Sequence, residues 1–122
     1  MRTNHASGHY AERQAAEYLK KHGYKIIAMN WRHARAEIDI IAQKKSRFGL
    51  AKHPLVFFEV KHRKNSEQGY GMDYITPKKL AQMRFAADLY VAQKQYDGEI
   101  SLGAIELQGE DYKIINILDN IT

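Results

Sequence analysis

The sequence predicts an α/β fold in which a mixed sheet carries helices packed on it, in one layered domain. Three observations point there. The 122 residues are 44% hydrophobic, enough for one domain with its own core. Two stretches repeat apolar residues at helical spacing, and five others show strand alternation or continuous branched and aromatic runs. Their order along the chain is α-β-β-β-α-β-β, with no internal repeat or low-complexity segment.

Each element has its own signature. Residues 7 to 22, SGHYAERQAAEYLKKH, read as a helix closed by Gly23, with Lys20, Lys21 and His22 favourably set at its negative end. YKIIAMNW (24 to 31) reads as a strand ending in a tryptophan, Trp31, expected in the core, followed by a short basic turn. EIDIIA (37 to 42) alternates charged and apolar residues as a second strand. QKKSRFGLAKHP (43 to 54) is a polar, basic connection, and LVFFEVKHR (55 to 63) is the third strand. NSEQGYGMDYI (65 to 75) has loop chemistry. Thr76-Pro77 is an N-cap and first-turn pair, and Leu80, Met83, Ala87 and Val91 then mark an amphipathic helix to about residue 95. ISLGAIELQ (100 to 108) and YKIINILDN (112 to 120) read as closing strands around Gly109-Glu110-Asp111.

Composition narrows the classes of function. There is no cysteine, hence no disulfide scaffold and no thiolate metal site. No signal-peptide pattern or membrane-length apolar run appears, so a soluble cytoplasmic protein with no membrane partner is expected. Through Gln95 the chain has 18 basic and 8 acidic residues; beyond it, one basic and six acidic. A basic body suggests a polyanionic partner, although a solvated surface with a charge gradient fits the composition equally well.

The carboxylates are harder to place as surface. Gly8, Ala15, Ala16 and Leu19 fall within about 60° of Glu12 on a helical projection, which sets Glu12 in the apolar stripe. The bland reading is a Glu that snorkels or pairs with a lysine. Strict alternation puts Glu37, Asp39 and Ile41 on one face of their strand, and Leu55, Phe57, Glu59 and Lys61 on one face of theirs. A hairpin closing about Gly49 would pair residues whose numbers sum to about 98. Ile41 would meet Phe57, Asp39 would meet Glu59, and Glu37 would meet Lys61. Facing carboxylates repel by up to roughly 1 kcal/mol when exposed, and more when desolvated. Lys61 could partly compensate; a hard divalent cation would do so better. A solvated edge hairpin is the plain alternative, but Leu55, Phe57 and Ile41 share the charged face.

Glu12 on a helix, Asp39, and Glu59-Val60-Lys61 ending an apolar strand together resemble the core of PD-(D/E)xK nucleases. Within that superfamily the chain is most similar to the YraN-like family of small bacterial predicted endonucleases. AERQAAEYLKKHGYKIIAMNWR, AEIDIIA, VFFEVKHR and ITPKKLAQMRFAADLYV stand in that family's order and spacing. Archaeal Holliday-junction resolvases share the carboxylate pattern, but NWR and AEIDIIA favour the YraN-like match. Two departures are visible: Ala36 stands where the family usually has Gly, which requires a negative φ there, and the 43 to 54 connection is longer than usual.

The resemblance implies a restriction-endonuclease-like αβββαβ core spanning residues 1 to 122, and hydrolysis of DNA phosphodiesters, on branched or otherwise structured forms. It implies that Asp39, Glu59 and the Val60 carbonyl hold Mg²⁺ or Mn²⁺. Lys61 would orient water or stabilise developing charge, and Glu12 would reach in through water or a second metal. Glu37 would hold Lys61 or stand as a rim charge. DNA contacts would fall to Lys44, Lys45, Arg47 and Lys52 in the hairpin connection, to Arg63 and Lys64, and to Lys78 and Lys79 at a helix N-terminus. Tyr70, between glycines, would stack on an opened base or pack on the rim. No histidine is assigned to metal. Two other classes stand beside this one: a non-catalytic nucleic-acid-binding scaffold, and an interaction module docking through its acidic C-terminal strands. Junction cleavage would favour a homodimer, although no interface signature is evident in the sequence.

Overall fold

The computed structural model describes residues 2–46, 48, 52–65 and 71–121. Its elements follow the expected order: α1 (Arg2–Lys21), β1 (Tyr24–His33), β2 (Ala36–Lys44), β3 (Leu55–Arg63), α2 (Pro77–Lys94), β4 (Ile100–Gln108) and β5 (Lys113–Leu118). The five strands form one sheet in the order β1-β2-β3-β4-β5. Only β3 and β4 run parallel; α2 makes the crossover between them that a parallel pair requires.

The two helices lie on opposite faces of the sheet. Ala11, Ala15, Ala16 and Leu19 of α1 pack on Ile40, Val56, Phe58 and Ile105. Met83, Ala86, Ala87 and Tyr90 of α2 pack on Ile41, Leu55, Phe57 and Leu102. Trp31 is half-buried on this second face, edge-on to Tyr90 at 5.4 Å.

Chain punctuation follows the local chemistry. Gly23 takes φ +90°, where a side chain would be strained, and lets the chain leave α1 directly into β1. Helix α1 begins earlier than the sequence pattern suggests, at Arg2 rather than near Ser7. Thr76 caps α2 as expected, its hydroxyl accepting a 3.1 Å hydrogen bond from Lys79 N–H. Ala36 is absent from the positive-φ residues, as its Gly-to-Ala departure requires; the left-handed position of this turn falls instead on Ala34, φ 55°.

The β2–β3 register is the one expected, with Ile41 opposite Phe57 and Ile40 opposite Phe58. The ladder then stops. Asp39 and Glu59 are not paired across it, and neither are Glu37 and Lys61. The simple alternation predicted for β2 also fails here: Ile38 packs with Ile41 on the α2 face, while Ile40 packs on the α1 face. Ile38 and Ile40, two positions apart, cannot lie on opposite faces of an uninterrupted strand. The neighbouring strand shows the cause. Met29, opposite Ile40, packs on the α1 face, Trp31, opposite Ile38, packs on the α2 face, and Asn30 between them takes φ 53°. Both strands therefore change face at Asn30 and Asp39, and Asp39 sits where β2 and β3 part.

Candidate metal and nucleic-acid site

The parting of β2 from β3 links the two faces of the sheet. Glu12 comes from α1 on one face, Glu59 projects on the α2 face, and Asp39 lies between them. Glu12 is buried at 9% exposure, and its Oε1 has no hydrogen-bond partner among the described residues. Its carboxyl lies close enough to that of Asp39 to share a proton, with Asn30 alongside. Two ionised carboxylates are acceptors only, so this contact calls for a proton or a cation.

The titration behaviour follows from that crowding. Burial, foremost, pushes Glu12 above the ordinary carboxylate range; Asp39 and Asn30 oppose this, and the charges of Glu59 and Glu37 add to it. Asp39 rises to about 7, chiefly through burial and then through Glu12, against a 2.8 Å hydrogen bond donated by Val60 N–H. Glu59 rises to about 6, again through burial first and the Asp39 charge second. Among the described residues the cation paired with Glu59 is Lys79, at 3.2 Å, in the compensating place suggested for Lys61. Lys61 is exposed on the same face and lines a cleft of about 420 Å³ with Glu59, Tyr74, Thr76, Lys78 and Lys79.

Not every expected residue joins this site. Glu37 is exposed and pairs with Arg32 at 3.9 Å, so it stands on the rim and does not hold Lys61. Arg63 is removed from the set of DNA contacts: it is 5% exposed, with Nε 2.6 Å from Glu106 Oε2 and Nη2 bonded to Asp73. Lys44 ends β2 five residues beyond Asp39, about 17 Å along the strand, and Lys45 lies farther still. Both are exposed, as is Lys52 across the connection, but they stand at the far end of the sheet from the carboxylates. Lys64 is exposed just past β3. Arg47 and Tyr70 lie outside the described residues. His62 points away from Glu59, with Nε2 2.8 Å from the Gly109 carbonyl and its ring stacked on Tyr112.

Several contributors are not evident in a strand-by-strand reading. Asn30 offers one signal, since Asn is among the few residues that visit a left-handed backbone readily. Glu106, fully buried in β4, is a lone acid inside the apolar run ISLGAIELQ, which is itself a sign of a buried partner. Its second oxygen accepts a 2.8 Å hydrogen bond from Asn116 Nδ2, and the Arg63 guanidinium lies over Tyr74 at 5.5 Å. This network ties Asp73 and Tyr74 to the sheet immediately before the α2 N-terminus. Tyr74 is thereby fixed as a wall of the lysine cleft, and burial, followed by the Glu106 and Glu59 charges, raises its phenol.

Among the described residues no three His, Cys, Asp or Glu side chains form a ready-made ligand set. Glu59 is engaged by Lys79 and Asp39 by Val60. The donors nevertheless suit Mg²⁺ or Mn²⁺, which bind through one or two carboxylates and retain several waters. Glu12 Oε1, buried with no hydrogen-bond partner among the described residues, and the contact of its carboxyl with Asp39 would be satisfied by a shared proton or by such a cation.

No helix among the described residues is long and apolar enough to cross a membrane. Residues 11–115 match the family described as uncharacterised protein family UPF0102. A UPF0102 protein of Flavobacterium johnsoniae is 33% identical over 125 aligned residues, covering 98% of this chain and 96% of that protein. One from Cytophaga hutchinsonii is 31% identical over 103 residues, covering 84% and 85%. One from Chlorobium phaeobacteroides is 41% identical over 87 residues, covering 71% of this chain and 63% of that protein. With the match spanning both helices, all three central strands and the buried carboxylates, the chain belongs to the UPF0102, or YraN-like, family.

Proposed function

We propose that the protein is a divalent-metal-dependent endonuclease acting on DNA. The observation that supports the reading is the buried Glu12–Asp39 contact at the gap between β2 and β3, with Glu59 near enough to exchange charge effects with both, beside a lysine-lined cleft. A structural role alone gives no return for bringing three acidic side chains together under desolvation.

Asp39 and Glu59 would hold Mg²⁺ or Mn²⁺, with the Val60 carbonyl as a third protein oxygen. Such an ion, when bound, neutralises charge on a phosphodiester and makes water a better nucleophile. The chain's own residues do the rest. Glu12 remains the negative wall behind Asp39, reaching the same region from the helix. Lys79 neutralises Glu59 before substrate arrives and can transfer to a phosphate oxygen afterwards. Lys61 faces the cleft where charge would develop on the non-bridging oxygens, so its ammonium acts as a fixed electrostatic partner there. Lys78 and the N-terminal amides of α2 attract the adjacent phosphate.

The test is cleavage of labelled duplex, single-stranded and branched DNA with Mg²⁺ or Mn²⁺. Wild type should cut at least one form, and Asp39→Asn or Glu59→Gln should reduce the rate at least about 100-fold while DNA affinity stays equal or rises, because negative charge near phosphate is removed. Salt-sensitive binding without cleavage of any of these substrates would instead support a non-catalytic nucleic-acid-binding scaffold.

A further inference from the structure

Glu59, Lys79 and Gln82 stand on a ridge shared by two clefts of different chemistry. The first, described above, is walled by Lys61, Lys78, Thr76 and Tyr74. The second, about 370 Å³, is walled by Arg35, Ala36, Glu37, Met83 and Phe85. That volume lies within the range of about 300–1,000 Å³ for small-molecule sites. Its own walls differ from those of a phosphate trench: an aromatic ring, a thioether and a methyl group share it with one guanidinium and the Glu37 carboxylate, beside the amide of Gln82.

Phe85 is the telling residue. It is 59% exposed, while its neighbours Ala86 and Ala87 are buried against the sheet. On a helical projection Lys78, Gln82 and Phe85 fall within about 60° of one another, so a single stripe of α2 runs from ammonium to amide to aromatic ring. A scattered exposed Phe needs no explanation. One that walls a cleft touching Glu59, beside an amide with both a donor and an acceptor, has the chemistry for a nucleobase: a face to stack on and an edge to read. Arg35 occupies the β1–β2 turn, held by His33 opposite Ala36, and adds a cation at the mouth of the cleft.

We infer that the Phe85 cleft holds one unpaired DNA base next to the scissile phosphate, which directs the protein to forked, branched or single-stranded sites over continuous duplex. The inference rests on the nuclease reading for the word scissile, but base binding itself is separable from cleavage. A continuous duplex keeps its bases stacked and offers Phe85 no ring face.

The experiment is fluorescence-anisotropy titration, in EDTA, of a fluorescein-labelled forked oligonucleotide and of its fully paired counterpart of equal length. Phe85→Ala should weaken forked-DNA binding about tenfold and change duplex binding less than about twofold, with Phe85→Trp restoring most of the loss. Equal losses on both DNAs, or none on either, would overturn the inference. Asp39→Asn should retain the Phe85-dependent preference. If wild type cuts nothing yet the preference persists, the nuclease reading fails alone. If wild type cuts and Phe85→Ala binds both DNAs as wild type does, the base-cleft inference fails alone.

Discussion

At the scale of single residues, the contact between Glu12 and Asp39 decides how the protein responds to pH. Asp39 has an ordinary value of 3.8 and sits at about 7 in the fold. The folded state therefore holds more protons than the unfolded chain between those values, and stability falls as pH rises through that window. Glu59, raised to about 6, acts in the same direction. Without divalent ions, the melting temperature should drop by about 5 °C or more between pH 5 and pH 8. Mn²⁺ at pH 8 should recover most of the loss, since bound positive charge replaces the missing protons. Asp39→Asn should flatten the metal-free profile. Differential scanning calorimetry across that range is the check, and a metal-free profile that rises toward pH 8 would contradict the assignment of buried, uncompensated carboxyls.

Among elements, the segment from Asp73 to Lys79 is what aligns the α2 N-terminus with the carboxylates. Glu106 anchors it through Arg63, which in turn holds Asp73 and lies over Tyr74. Removing the fully buried Glu106 deprives a buried guanidinium of its one buried carboxylate partner among the described residues. Glu106→Ala should cost about 3–5 kcal/mol in urea unfolding, and loss of less than about 1 kcal/mol would show that the network is dispensable. Most elements were legible in the sequence because their periodicity and caps agree: Thr76-Pro77 opens α2, Gly23 closes α1, and the β2–β3 register follows from apolar matching. The face change at Asp39 was not legible. Alternation is a property of continuous strands, and the interruption comes from Asn30 on the neighbouring strand rather than from EIDIIA itself. Likewise the 55–63 strand shows Arg63 as one more terminal cation, and only the buried acid of β4 explains why it turns inward.

For the whole molecule, charge and site geometry belong together. The basic surplus through Gln95 is spread over both ends of the sheet, with Lys61, Lys78 and Lys79 at the carboxylate end and Lys44 and Lys45 at the other. DNA seated at the carboxylate end should show a steep fall of log affinity with log salt. Lys61→Ala and Lys78→Ala should each reduce that slope by about 0.9 if each contacts one duplex phosphate, whereas Lys45→Ala should leave it nearly unchanged. Equal effects from all three lysines would move the DNA path along the whole hairpin. The proposed reaction depends first on a bound divalent ion. Isothermal titration of the metal-free protein with Mn²⁺ should give saturable binding in wild type, weakened at least about tenfold in Asp39→Asn and in Glu59→Gln. Equal Mn²⁺ affinity in wild type and both variants, or no binding by any of them, would contradict it.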